Sequence, residues 1–246
     1  MFGTNPIRKY EDRPDALQVR EIFYTIQGEG PHSGLPAVFV RLTGCNLACT
    51  FCDTKWDDAL DGVFTPKDIW GVIEAQAKDK TRLVVLTGGE PLRQNLALFL
   101  ALMPEGWTAQ IETAGTLWQG CLDINRSPMR RVQVVVSPKT PAVRREFHAT
   151  PGLVIAWKYV IREGQISDED GLPMGSTQRA GVAQRLARPW DHSLIATDKT
   201  RANVWLSPCD EHDVEATRAN MLAVGRVAMK HGYRAMVQLH KLLEVA

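Results

Sequence analysis

The sequence predicts an α/β fold built on parallel strands, either a barrel or a doubly wound sheet. Two observations carry this expectation. Short β-rich runs alternate with helical patterns along the 246 residues, and strands separated by helices pair in parallel through crossovers. Polar residues gather where the predicted strands end rather than along them, as at the rim of an α/β barrel.

Taken in order, strands are expected at 18–25, 37–42, 83–86, 109–112, 132–136, 153–160, 204–206 and 234–239. Thr65-Pro-Lys-Asp68 opens the first clear helix with a hydroxyl cap, a proline at the first helical position and an acid in the first turn. A second helix runs from about 214 to 231, with Thr217, Met221, Val224 and Ala228 on one stripe and Gly232 as its stop. The strands end in Thr87-Gly-Gly-Glu90, Glu112-Thr-Ala-Gly-Thr116, Ser137-Pro-Lys139, Lys158, Ser207-Pro-Cys-Asp-Glu211 and Gln238-Leu-His240, which argues for one shared pocket. Residues 1–17 read as a loose N-terminal extension. Residues 163–202 read as a loop excursion that orders only against a neighbour. Both belong to one domain spanning 1–246.

Composition excludes several classes. The 29 basic and 28 acidic residues leave a net charge of +1, so a surface for gripping phosphate backbones is not expected, and neither is direct nucleic-acid binding. The longest apolar run, 96–103, is far too short to cross a bilayer. The opening MFGTNPIRKYEDRPD lacks the apolar stretch of a secretion signal. Five cysteines, an odd number and clustered, do not make a disulfide framework, which places the chain in a reducing cytoplasm.

Three of the five cysteines fall within Gly44-Cys-Asn-Leu-Ala-Cys-Thr-Phe-Cys-Asp-Thr54, at spacings of three and then two intervening residues. Four-cysteine clusters and most structural zinc sites use a complete protein shell. Here the next cysteine, Cys121, is 69 residues beyond Cys52. Three thiolates on a [4Fe–4S] cube leave one iron with an open position. The alternative is a zinc-stabilised binding module using Cys45, Cys49, Cys52 and a fourth ligand such as Asp53.

The CxxxCxxC spacing, with Phe51 before the last thiol and Thr87-Gly-Gly-Glu-Pro91 one helix and one strand later, resembles the radical S-adenosylmethionine superfamily. That resemblance implies a partial, incomplete TIM-like barrel with modified helices. It also implies a cluster whose open iron is chelated by the methionine end of S-adenosylmethionine, which is cleaved to a 5′-deoxyadenosyl radical. Glycyl-radical-enzyme activases share the motif and are the alternative within the superfamily.

Further along, Ile26-Gln-Gly-Glu-Gly30, Arg41, the Cys-Asp-Thr at 52–54, ETAGT, VSPK and the terminal QLHKLL together resemble the 7-carboxy-7-deazaguanine synthase family. The resemblance implies conversion of 6-carboxy-5,6,7,8-tetrahydropterin to 7-carboxy-7-deazaguanine with loss of ammonia, in the route to queuosine and other 7-deazapurines. Hydrogen is removed from C6 and later returned, so S-adenosylmethionine is regenerated, and Mg2+ assists the rearrangement. It further implies a homodimer and a flavodoxin- or ferredoxin-type reductant.

By the same resemblance, Cys45, Cys49 and Cys52 hold the cluster, Phe51 lies by the adenine and Thr54 is a Mg2+ ligand or a cap of its own loop. Ile26, Gln27 and Gly28 contact the pterin edge through backbone. Glu29 accepts from the pterin's N–H donors or is a solvated loop acid. Arg41 meets the substrate carboxylate or forms a salt bridge to Glu29 or Asp53. Thr87 is a second substrate contact. Gly89, Glu90, Ser137, Pro138, Lys139, Lys158, Ser207, Pro208, Cys209 and Asp210 surround S-adenosylmethionine, with either Lys139 or Lys158 meeting its carboxylate. His240 contacts substrate at the end of the last strand, as a proton carrier or a structural histidine.

Overall fold

The structure is a computed structural model describing residues 6–52, 62–123, 131–150, 152–178, 184–192 and 203–245. Its strands are β1 (Leu17–Ile26), β2 (Pro36–Leu42), β3 (Gly62–Phe64), β4 (Leu83–Gly88), β5 (Thr108–Thr113), β6 (Val132–Val136), β7 (Val154–Ile161), β8 (Val204–Pro208) and β9 (Arg234–Ala235). Among the described residues they form one nine-stranded open sheet in the order β3-β1-β2-β4-β5-β6-β7-β8-β9. From β2 onward all neighbours are parallel. This is the expected partial barrel, with one correction: β1 runs antiparallel to both β2 and β3. A short loop at 27–35, holding only one 3-10 turn at Gly30–His32, joins β1 to β2, so the strands meet as a hairpin and not through a crossover helix.

Helices are sparse. They are α1 (Pro66–Ala77), α2 (Ala97–Ala101), α3 (Glu146–Ala149), α4 (Val214–His231) and α5 (Leu239–Leu242). The Thr65 hydroxyl caps α1 by accepting from Asp68 N, and Ile69, Trp70, Ile73 and Ala77 form its buried stripe. Asp213 caps α4, and Gly232 ends it in the left-handed region at φ 72°. The buried stripe of α4 is Asn220, Ala223, Val224, Val227 and Ala228. Met221 is 38% exposed, so the expected stripe is rotated by part of a turn.

Alternation along the strands divides two environments. Val38, Val40 and Leu42 of β2, Val84 and Leu86 of β4, and Ala109 and Ile111 of β5 join the main core under the helices. Their odd-numbered or even-numbered neighbours, Arg41, Thr87 and Glu112, face the concave side and line a cavity. On these three strands the sheet therefore packs apolar residues outside the barrel wall and turns Arg41, Thr87 and Glu112 to its inside.

Two segments read as loose are packed. In the extension, Arg8 N donates to Cys45 O at 2.6 Å, and Glu11 N donates to Arg93 O at 2.8 Å. In the excursion, Leu172, Leu186 and Arg188 are buried. Arg188 pairs with Asp170 at 2.6 Å and also donates to Leu186 O and Pro173 O. A buried guanidinium with these donors satisfied anchors the described parts of the excursion, 163–178 and 184–192, to their own chain. The last strand is also shorter than expected. After Met236 N bonds Leu206 O, the chain leaves the sheet, and Leu239 N donates to Gly28 O at 3.1 Å. His240 thus lies in α5, not at a strand end.

Candidate active site

The strand ends open into one cavity of about 340 Å³. Of the sequence-derived candidates, it gathers all but Gly28 and Pro138, while Thr54 and Asp53 lie outside the described residues. Cys45, Cys49 and Cys52 stand on one wall; Ile26, Gln27, Glu29, Arg41, Thr87 and His240 also line it.

The cysteine loop leaves β2 through Thr43 and Gly44, the latter at φ 77°. It is held against β4 by backbone: Gly89 N donates to Leu42 O at 3.0 Å and Glu90 N to Gly44 O at 2.9 Å. A Cβ on Gly89 would sit 2.0 Å from Gly44 O, and one on Gly88 would sit 2.1 Å from Leu42 O. The glycine pair therefore exists to let the cysteine loop pass, as much as to approach a ligand. Glu90 is buried and spoken for: its carboxylate accepts from Leu92 N, Ala114 N and the Thr113 hydroxyl. Burial raises its pKa despite those bonds. It buttresses the loop from beneath.

Burial first, then Glu90 and the two neighbouring thiols, push Cys45 up to about 12. The buried Cys45 thiol therefore holds its proton until a cationic centre displaces it. Among the described residues, no group of three or more His, Cys, Asp or Glu side chains would hold a single metal ion. Three thiols lining one cavity suit the multi-iron cluster that the CxxxCxxC spacing implies.

Glu29 lines the same cavity with 13% of its side chain exposed, and it is paired, not solvated. Lys158 Nζ pairs with it at 2.5 Å, and Ser207 Oγ donates to it at 3.2 Å. Burial alone would raise its pKa, but the Lys158 charge and hydrogen bonds hold it at about 2. Lys158 is thereby committed. Lys139 instead meets neutral groups of Ser137, its carbonyl at 3.0 Å and its hydroxyl at 2.5 Å, and burial lowers its pKa. Its ammonium lies 5.9 Å from the centre of the Phe51 ring, and the Arg162 guanidinium lies 5.5 Å from the same centre.

Glu112 was legible as a strand end but not as a ligand-facing acid. Gln27 Nε2 and Gln110 Nε2 donate to it at 3.0 and 3.1 Å, and Thr87 Oγ1 at 3.4 Å, all neutral partners. Gln27 and Gly28 were expected to offer backbone. Instead Gln27 N donates to Leu35 O, Gln27 O accepts from Gly34 N, and Gly28 O accepts from Leu239 N. Arg41 Nε lies 2.8 Å from a carboxylate oxygen of Glu21. His240 is half-buried, and burial lowers its pKa. Ser207, Pro208, Cys209 and Asp210 complete the rim, where Arg162 Nε lies 3.4 Å from the Cys209 sulfur and Lys241 pairs with Asp210.

Residues 39–141 match the model of the Radical SAM superfamily. The 7-carboxy-7-deazaguanine synthase of Rhodospirillum rubrum is 40% identical over the full length of both chains. The enzyme of that name from Rickettsia prowazekii is 32% identical, covering 100% of this chain and 96% of its own. The crystal structure of QueE from Escherichia coli superposes with a TM-score of 0.62 at 24% identity, over 92% of this chain and 95% of that one, a likeness of fold.

The open parallel sheet, the three-cysteine wall and these matches define a protein of the radical SAM class, which implies a [4Fe–4S] cluster and S-adenosylmethionine. Within that class the chain belongs to the 7-carboxy-7-deazaguanine synthase family. Full-length likeness to synthases leaves the activase alternative without support.

Proposed function

We propose that this chain is a radical S-adenosylmethionine lyase that converts 6-carboxy-5,6,7,8-tetrahydropterin into 7-carboxy-7-deazaguanine with release of ammonia, in 7-deazapurine biosynthesis. One observation carries the reading: three cluster-type cysteines and an acid-and-amide wall suited to a pterin face one cavity. We read 1–246 as one radical SAM domain, working in the cytoplasm as a homodimer with a flavodoxin- or ferredoxin-type reductant.

The bound cluster and S-adenosylmethionine supply one-electron cleavage and a radical able to take hydrogen from C6. The chain positions both partners. Cys45, Cys49 and Cys52 hold three irons. Lys139, rather than the committed Lys158, meets the methionine carboxylate, and Phe51 packs by the adenine. Glu112 accepts from the pterin's amino and ring N–H donors, with Gln27 and Thr87 holding its carboxylate in place. Arg41 takes the substrate carboxylate, which its planar guanidinium fork suits. His240, whose pKa burial lowers, takes a proton from the substrate and passes it to the departing amine. Thr54, which lies outside the described residues, would be the chain's Mg2+ ligand.

Anaerobically reconstituted protein given S-adenosylmethionine, Mg2+, a reductant and the carboxypterin is expected to form the deazaguanine and ammonia in equal amounts. Cluster-loaded protein that forms neither contradicts the proposal.

A further inference from the structure

We infer that Gln178 and Thr177 are positioning residues for the cluster, donating hydrogen bonds to the Cys49 sulfur that raise the cluster's reduction potential. The inference rests on the cluster reading above. Gln178 Nε2 lies 3.1 Å from Cys49 Sγ, and Thr177 Oγ1 lies 3.3 Å from it.

The orientation of the Gln178 amide follows from its other end. Its Oε1 accepts from Ala48 N at 2.8 Å, so the NH2 group must face the sulfur; the flipped amide would set two donors against each other. Backbone fixes the approach: Cys49 and Gln178 form an antiparallel bridge, and Thr50 N donates to Thr177 O at 2.9 Å. The Thr177 hydroxyl has one proton and two acceptors in reach, the sulfur and Lys139 O at 3.2 Å. A sulfur bound to iron carries negative charge and is the stronger draw.

Thr177 and its neighbour Ser176 also reach the S-adenosylmethionine side. Thr177 N and Ser176 Oγ each lie 3.2 Å from Lys139 O. Residues 176–178 therefore bridge the cysteine loop and the Ser137-Pro-Lys139 loop. Reduction of the cluster adds negative charge to its sulfurs. Donors aimed at a sulfur stabilise the reduced form more than the oxidised one, so they raise the potential.

The test is an EPR-monitored potentiometric titration of the anaerobically loaded protein, with iron and sulfide counted in each sample. Thr177→Val and Gln178→Ala are expected to keep four irons and shift the midpoint to more negative potential. Gln178→Glu shifts it further, and Thr177→Ser restores the wild-type value. Loaded variants whose midpoint is unmoved, or moves to positive potential, overturn the inference. If Gln178→Ala loads fewer than four irons, Thr177→Val decides, because it keeps the bond between Ala48 N and the Gln178 side chain. Failure of both to load also overturns it, since the segment would then hold the loop and not tune it. Wild-type protein that takes up no cluster is a different result and overturns the functional reading itself.

Discussion

Gly28 and His240 are built around each other: a Cβ on Gly28 would fall 1.9 Å from His240 Nδ1 and 2.9 Å from its backbone nitrogen. Gly28 O also accepts from Leu239 N, so this glycine seats the whole C-terminal helix against the cavity. Gly28→Ala must push His240 out of the wall. We expect kcat/KM for the carboxypterin to fall at least tenfold, about 1.4 kcal/mol, while iron content stays at the wild-type level. Unchanged kinetics would show that His240 has no part in holding substrate.

The Glu29–Lys158 pair sets a pH dependence. The folded carboxylate titrates at about 2, below its ordinary 4.5, so the folded state binds fewer protons between those values. The pair's stabilisation is present above about pH 4.5 and is lost as pH falls toward 2. Lys158→Met leaves a buried carboxylate without its cation, at a cost of about 3–5 kcal/mol. Urea unfolding should show that loss at pH 7, a smaller loss at pH 3, and partial recovery in Glu29→Gln/Lys158→Met.

Gly89→Ala sets a methyl carbon against the Gly44 carbonyl, a backbone atom that cannot swing aside. The cysteine loop must then separate from β4. Iron content after reconstitution should drop well below four per chain, with circular dichroism unchanged. A fully loaded Gly89→Ala protein would show that the glycine pair serves the ligand alone.

Lys139 and Lys158 separate by role. Lys139→Met should weaken S-adenosylmethionine binding about tenfold or more in equilibrium titration, through loss of a charge-assisted bond. Its stability should change less than that of Lys158→Met. The reverse ranking would assign the carboxylate to Lys158.

Glu112→Gln keeps the size of the side chain and removes its charge. We expect KM for the carboxypterin to rise roughly 10- to 100-fold, about 1.5–3 kcal/mol, with S-adenosylmethionine affinity unchanged. An equal loss for both ligands would mean that the variant disturbs the cavity as a whole.

Much of this was legible in the sequence because it is local. The Cys45, Cys49 and Cys52 spacing, the Thr65 cap and the Gly232 stop need only neighbours a few residues away. What escaped depends on partners far apart in the chain. Nothing near Gln178 marks it as a companion of Cys49, 129 residues earlier. Arg188 sits in a stretch without periodicity, and its burial follows from Asp170, 18 residues away. Glu112 was read as a rim residue, since its meeting with Gln27 exists only once β1 and β5 share a barrel. The alternation at 234–239 suits a strand, yet the pull of Gly28 on Leu239 turns the chain into α5.

The central claim is that cluster, S-adenosylmethionine and pterin share the cavity behind Cys45, Cys49 and Cys52. It is tested most directly with carboxypterin deuterated at C6, followed by mass spectrometry of the recovered S-adenosylmethionine. Our account predicts deuterium at the 5′ carbon of the cofactor alongside deazaguanine product. Product formed by loaded enzyme with no label in the cofactor would contradict it.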